Sequence, residues 1–192
     1  SMPSPSVIGL LGGVAAGKST TAACLERRGA RILDADAYAR TALEEAKDAV
    51  GAALGTHDRE ELAAIVFRDD DARRTLESIL HPLVRASLET DLADLRPGAT
   101  AVLDIPLLME GGLIERCDAT IFVDAPDDLR RERAAARGWK AGDWARRESA
   151  QASLETKRTA ATHVIANDGS PEDLDRLIGN IWDHWQAEDK SE

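Results

Sequence analysis

Eight consecutive residues, Gly12-Gly13-Val14-Ala15-Ala16-Gly17-Lys18-Ser19, satisfy the pattern G-x-x-x-x-G-K-[ST] at every fixed position. That spacing is suited to holding a chain of phosphates. Glycines permit backbone angles that turn successive N–H groups around phosphate oxygens, and a helix beginning near Lys18 adds the positive end of its dipole. In such a loop the backbone of Gly13, Val14, Ala15, Ala16 and Gly17 cradles the phosphates, and Lys18 reaches the β- and γ-phosphates. Ser19 supplies a hydroxyl to Mg2+, and Thr20 completes the nucleotide-contacting set. A glycine-rich turn that binds nothing has the same letters, so the flanks decide. Val7-Ile8-Gly9-Leu10-Leu11 ahead of the loop is an apolar run of strand length, and Thr20 to Arg28 behind it reads as a helix stopped by Gly29. Strand, loop and helix in that order predict nucleoside triphosphate binding.

Carboxylates come next. Asp34 and Asp36 follow the short run Ala30-Arg31-Ile32-Leu33, at the strand end where parallel α/β sheets bind ligands. One of them could take the proton from an attacking hydroxyl or help hold the metal; the other reading is that Asp36 merely caps a helix through Tyr38, Ala39 and Leu43. Asp104 interrupts the apolar run Thr100 to Leu108, either as a Walker-B carboxylate acting on Mg2+ or as a turn former ahead of Pro106. Arg130, Arg131, Arg133 and Arg137 crowd the stretch Asp127 to Trp139, and Lys140, Arg146, Arg147, Lys157 and Arg158 continue it. They form either a lid that carries cations over a γ-phosphate or a solvated helix pair laced with ion pairs to the interleaved acids. His81 precedes Pro82, as a hydrogen-bonded corner residue or a ligand-facing one.

Positioning these groups requires alternating strands and helices. Ala119 to Asp124 and His163 to Ala166 supply the fourth and fifth strands, and Ser170-Pro171-Glu172-Asp173 starts a closing helix. That helix places Leu174, Leu177, Ile178, Ile181, Trp182 and Trp185 on one face. The prediction is an α/β fold: a five-stranded parallel sheet with helices on both faces, comprising residues 1–36, 97–125 and 161–192. Residues 37–96 form a helical acceptor-binding insertion and residues 126–160 a helical lid. Within the insertion the periodicity predicts helices over Ala37 to Val50, over Arg59 to Phe67 and after Asp69, the last broken at His81-Pro82 so that Pro82 opens a fourth helix.

The chain of 192 residues suits one such unit, and 35 acidic against 24 basic residues give a net charge of -11. This argues against nucleic acid or an anionic membrane surface as the main partner. No apolar run is long enough to span a bilayer and no leader is expected, so the expected setting is the cytoplasm. Ser1-Met2 looks like a tag-cleavage remnant and Pro3-Ser4-Pro5 a loose lead-in. Cys24 and Cys117, without C-x-x-C spacing, read as reduced packing residues. The expected assembly is a monomer or a weak homo-oligomer.

Several segments together resemble dephospho-CoA kinases. They are Gly9-Leu10 with the glycine pair, Asp34-Ala35-Asp36-Ala37-Tyr38-Ala39-Arg40, Arg59 ahead of Ile65-Val66-Phe67, Leu76 to Pro82, Asp104-Ile105-Pro106-Leu107-Leu108-Met109-Glu110, and Val164 to Gly169. The resemblance implies phosphorylation of the ribose 3′-hydroxyl of dephospho-CoA by ATP with Mg2+. It makes Asp36 the general base, with Asp34 next in line, and Ser19 and Asp104 the metal ligands. Lys18, Arg137 and Arg147 become the cations on the phosphates, and the loop of Asn167 and Gly169 lies near adenine. Arg59, His81, Arg85 and Leu107, with Asp36 and Asp104, fall on the acceptor side. Three departures from the family pattern stand out: Leu11 in place of a threonine, a shortened stretch between Arg40 and Arg59, and Ala161-Thr162 in place of Ala-Asp. The competing readings are a nucleoside monophosphate kinase, a nucleotide-binding switch module without an acceptor, and an inactive member that retains nucleotide.

Overall fold

Five apolar runs become the strands of one parallel sheet: β1 (Val7–Gly12), β2 (Arg31–Asp34), β3 (Ala101–Asp104), β4 (Ala119–Asp124) and β5 (His163–Ala166). The structure, a computed structural model, describes residues 6–104, 110–140, 142 and 154–189. The strand order is β2-β3-β1-β4-β5, so β1 is central and the chain winds to either side of it. Every residue of β1 is buried, because a central parallel strand is covered on both faces.

The period of two along the strands sorts the core into halves. Ile8, Leu10, Val102, Ile121, Val123 and Ile165 point to one face, where they meet α1 (Lys18–Arg27) and the closing helix α9 (Pro171–Asp189) through Cys24, Leu25, Leu174, Ile178 and Trp185. Leu11, Leu33, Ala101, Leu103 and Phe122 point to the other. There they pack on α2 (Ala35–Glu45), α3 (Lys47–Leu54), α4 (Arg59–Arg68) and α5 (Asp70–Ala93) through Ala42, Val50, Leu62, Leu80, Val84 and Leu88. Residues 37–96 therefore share a core with the sheet. Next come α6 (Glu110–Leu113) with a 3-10 turn (Ile114–Arg116), α7 (Asp127–Ala136) after β4, and α8 (Leu154–Ala160) ahead of β5.

Three expectations are corrected. The helix predicted over Ala37 to Val50 is two helices, α2 and α3, hinged at Ala46; the sequence holds no breaker there, and the bend lets Val50 join Leu62 and Leu80 in the core. Conversely, His81-Pro82 breaks nothing, since α5 runs unbroken for 24 residues with Pro82 inside it. Proline removes the bond to the Ser78 carbonyl, but Pro82 and Ser78 are both exposed, so water can take that carbonyl. The opposite face, with Val84 and Leu88 fully buried, keeps the helix whole. Finally, Leu177 is exposed rather than on the apolar face of α9.

Polar contacts tie the ends of the sheet. Thr162 donates its hydroxyl to the Thr120 carbonyl at 2.8 Å and accepts the Thr120 N–H at 2.9 Å, so threonine at this departure extends the β4–β5 ladder by one side-chain rung. In the predicted helix start, Asp173 accepts the Ser170 N–H at 3.0 Å while the Ser170 hydroxyl accepts the Asp173 N–H at 3.1 Å, a reciprocal cap. Arg28 joins α1 to α9 by donating to both carboxylate oxygens and the carbonyl of Asp175. Its bonds, with those from Arg27, hold the Asp175 carboxyl far below the usual range.

Candidate active site

The loop Gly13 to Gly17 leaves the carboxyl end of β1 and turns directly into α1. Gly17 has φ 106°, and a Cβ there would overlap the amide nitrogen of Asn167, so glycine is required on two grounds. Ala15 also holds a left-handed φ of 58°, a conformation that costs a non-glycine residue about 1 kcal/mol.

What keeps the loop in this shape is a set of donors on its outer side. Arg133 donates to the carbonyls of Ala15 and Ala16, each at 3.4 Å, and to the carbonyl of Asn167 at 2.9 Å. Arg130, only 2% exposed, reaches the Val14 carbonyl at 3.4 Å and pairs with Asp127. The Asn167 amide donates to the Ala16 carbonyl at 2.8 Å, and its backbone N–H bonds the Asp124 carbonyl at 2.7 Å. In a trans peptide the N–H points opposite to the C=O. Carbonyls of Val14 and Ala16 held outward thus direct the N–H groups of Ala15 and Gly17 the other way, while the Ala16 N–H closes the turn on Gly13 at 3.2 Å.

Beside the loop the register places Asp34 on β2 directly opposite Asp104 on β3, and Asp104 opposite Leu10 on β1. Lys18 donates from Nζ to Asp104 Oδ1 at 3.1 Å. The capping role weighed for Asp36 belongs instead to Asp34, whose Oδ1 accepts the N–H groups of Asp36 at 2.9 Å and Ala37 at 3.3 Å. Asp36 is therefore free of capping and stands in the first turn of α2. Loss of water around its carboxylate raises its pKa, the Asp34 and Asp104 carboxylates raise it further, and Lys18 and Arg40 pull the other way. Ser19 and Thr20, in the first turn of α1, are exposed.

The remaining candidates are dispersed. Arg59 opens α4 and Arg85 lies on α5, both exposed. His81 packs against Gly112 of α6, where a Cβ would meet its ring at 2.7 Å. Gly169 sits under the Asp173 carboxylate in the α9 cap, 2.6 Å from where its Cβ would be. Arg137 ends α7 and is exposed, a full turn beyond the arginine that touches the loop. Arg147 and Leu107 lie outside the described residues. Arg130 and Arg133, expected among the cations of a lid or of a solvated helix pair, instead grip the outer side of the loop. They occupy the first turns of the helix after β4, which borders β1, and the amino end of such a helix is the part nearest the carboxyl edge of the sheet.

This sheet order, with a glycine-rich loop running from the central strand into α1 and acids at two neighbouring strand tips, defines a P-loop kinase. The chain belongs to the dephospho-CoA kinase family, whose pattern matches residues 6–173. Dephospho-CoA kinases of Anaeromyxobacter dehalogenans and Deinococcus radiodurans are 42% and 46% identical to it; the alignments cover 91% and 89% of this chain and 92% and 88% of theirs. A crystal structure of a Thermus thermophilus protein superposes with a TM-score of 0.82 at 37% identity, covering 94% of this chain and 97% of that one. The dephospho-CoA kinase from Campylobacter jejuni has a TM-score of 0.61 at 22% identity, over 94% of this chain and 97% of its own, a likeness of fold.

Proposed function

We propose that this chain transfers the γ-phosphoryl group of ATP to the ribose 3′-hydroxyl of dephospho-CoA, releasing coenzyme A and ADP as the last step of coenzyme A synthesis. The observation that carries the reading is the juxtaposition of the P-loop lysine with Asp104 at 3.1 Å and, one strand over, the Asp36 carboxylate. Family membership names the acceptor.

Asp36 accepts the proton of the attacking hydroxyl. Its raised pKa makes it a better proton acceptor than an ordinary carboxylate, and no backbone N–H of the cap competes for it. Lys18 follows the transferring phosphoryl group, and the loop N–H groups directed away from the outer donors, those of Ala15 and Gly17, hold the β-phosphate. Phosphoryl transfer asks mainly for position and compensating charge, so the outer donors Arg130, Arg133 and Asn167 contribute by keeping the loop ready-made. Ser19 and Asp104 suit Mg2+: a hydroxyl and a single carboxylate beside substrate phosphates are the hard oxygens that this ion accepts. When bound with the nucleotide, Mg2+ neutralises charge on the β- and γ-oxygens. Among the described residues no three His, Cys, Asp or Glu side chains close on a metal, so the ion would be held largely through the nucleotide.

Helices α2 to α5, within residues 37–96, are proposed to receive the acceptor, with Arg59, His81 and Arg85 as its contacts. Helices α7 and α8, within residues 126–160, are proposed to cover the donor phosphates, and Asn167 and Gly169 to flank adenine. Arg137 and Arg147 stay proposed as cations of that cover. A cytoplasmic monomer or weak homo-oligomer is the proposed setting: both cysteines are free thiols, no helix among the described residues is long and apolar enough to cross a membrane, and the net charge of -11 disfavours nucleic acid. The test is ADP release with ATP, Mg2+ and dephospho-CoA beside AMP, adenosine and phosphopantetheine. Turnover with dephospho-CoA alone, lost in Asp36→Asn, is expected; turnover with AMP instead would move the chain to the nucleoside monophosphate kinases.

A further inference from the structure

Asp36 and Tyr38 are two residues apart on α2, about 200° around the helix, so they leave it on nearly opposite sides. The Asp36 carboxylate lies in the field of Asp34, Asp104, Lys18 and Arg40. Tyr38 looks toward α5, where its phenol donates a hydrogen bond to Asp91 Oδ2. The other oxygen of Asp91 lies 3.9 Å from the Arg31 guanidinium, at the start of β2. Asp34 at the end of that same strand caps the turn that carries Asp36. The result is a closed circuit: β2 to α5 through Arg31 and Asp91, α5 to α2 through Tyr38, and α2 back to β2 through Asp34. Packing alone would be served by an apolar ring, because Tyr38 already lies against the core face shared with Leu83 and Leu92. A hydroxyl bonded to a carboxylate 53 residues away adds direction, and a charged acceptor makes the bond a strong one. Burial first, then the bond to Asp91, keeps the proton on the phenol at any working pH.

We propose that Tyr38 and Asp91 are positioning residues for phosphoryl transfer: their bond fixes the rotation of the first turn of α2 on α5, and with it the place of the Asp36 carboxylate relative to Lys18 and Asp104. This rests on the activity proposed above. Transfer is sensitive to displacements of an ångström or less, whereas neither residue belongs to the donor or acceptor contacts already named. Tyr38→Phe is therefore expected to lower kcat about 3- to 10-fold while leaving both KM values within about twofold. Asp91→Ala, which also releases Arg31, should lower kcat at least as much, and the double variant should be no worse than Asp91→Ala, because the Tyr38 bond is already gone there.

Unchanged kcat in a folded Tyr38→Phe enzyme, additive losses in the double variant, or a matching rise in the KM for ATP would each overturn the proposal. If the wild type turns over another acceptor, the activity assignment fails and the same comparison runs on that acceptor. If it turns over none, amide hydrogen exchange is compared at the start of α2: faster exchange of the Asp36 and Ala37 N–H groups, which Asp34 now holds, in Tyr38→Phe supports the tie, and unchanged exchange overturns it.

Discussion

Gly17 carries the most demanding geometry of the phosphate loop, and its replacement by alanine can be worked out in parts. The left-handed φ of 106° costs a residue with a Cβ about 1–2 kcal/mol. The new methyl also overlaps the Asn167 amide, which must withdraw from the Ala16 carbonyl that it now bonds at 2.8 Å. Asn167 is 7% exposed and Ala16 1%, so the lost bond is buried and costs about 1–3 kcal/mol. Gly17→Ala should therefore cost about 2–5 kcal/mol in total. Asn167→Ala removes the same bond and should cost about 1–3 kcal/mol by itself. The double variant is the informative one. It retains the strain but has no amide to collide with and loses the bond once, so it should match Gly17→Ala at about 2–5 kcal/mol instead of the additive 3–8 kcal/mol. Equilibrium urea unfolding of the four proteins measures this coupling of about 1–3 kcal/mol. Strict additivity would refute the idea that the carboxyl end of β5 supports the loop through Gly17.

Three further outcomes are expected. Asp36→Asn should abolish most turnover yet stabilise the fold near neutral pH. The native pKa of Asp36 is raised, so the neutral form is the one the fold prefers; the stability it contributes is full below the unfolded carboxylate pKa of about 3.9 and is lost as pH rises through the native value. Thermal melts should thus show a gain in Tm for the variant at pH 7 that vanishes in acid, and a loss at pH 7 would contradict the sign. Arg133→Ala strips three carbonyls of a donor and should raise the KM for ATP about tenfold, with the KM for dephospho-CoA unmoved; equal effects on both would place Arg133 on the acceptor. Gly179→Ala gains about 1 kcal/mol of helix propensity but drives a Cβ to 2.8 Å from the Arg28 guanidinium that holds Asp175. Chemical denaturation should find it neutral or destabilising alone and stabilising in an Arg28→Ala background.

The pattern of types along the chain was enough to read the loop, the five strands and the acids at two strand tips, because each rests on local rules: glycine spacing, runs of apolar residues, and a carboxylate where a strand stops. The strand order and the identity of the α2 cap did not follow from such rules. Asp34 and Asp36 are equivalent in composition, and only the backbone entering α2 decided that the first would accept N–H groups and the second would not. Pro82 read as a break, since a lost hydrogen bond is a local cost; Val84 and Leu88, buried against strands elsewhere in the chain, outweighed it. Arg130 and Arg133 were two cations among many in a charged stretch. Their contact with carbonyls more than a hundred residues earlier exists because β4 pairs with β1, and Tyr38 meets Asp91 because α5 crosses α2. The sequence by itself determined which chemistry the chain carries. The tertiary structure alone decided which of several like side chains stands within reach of it, because reach depends on pairings between segments that no local pattern encodes.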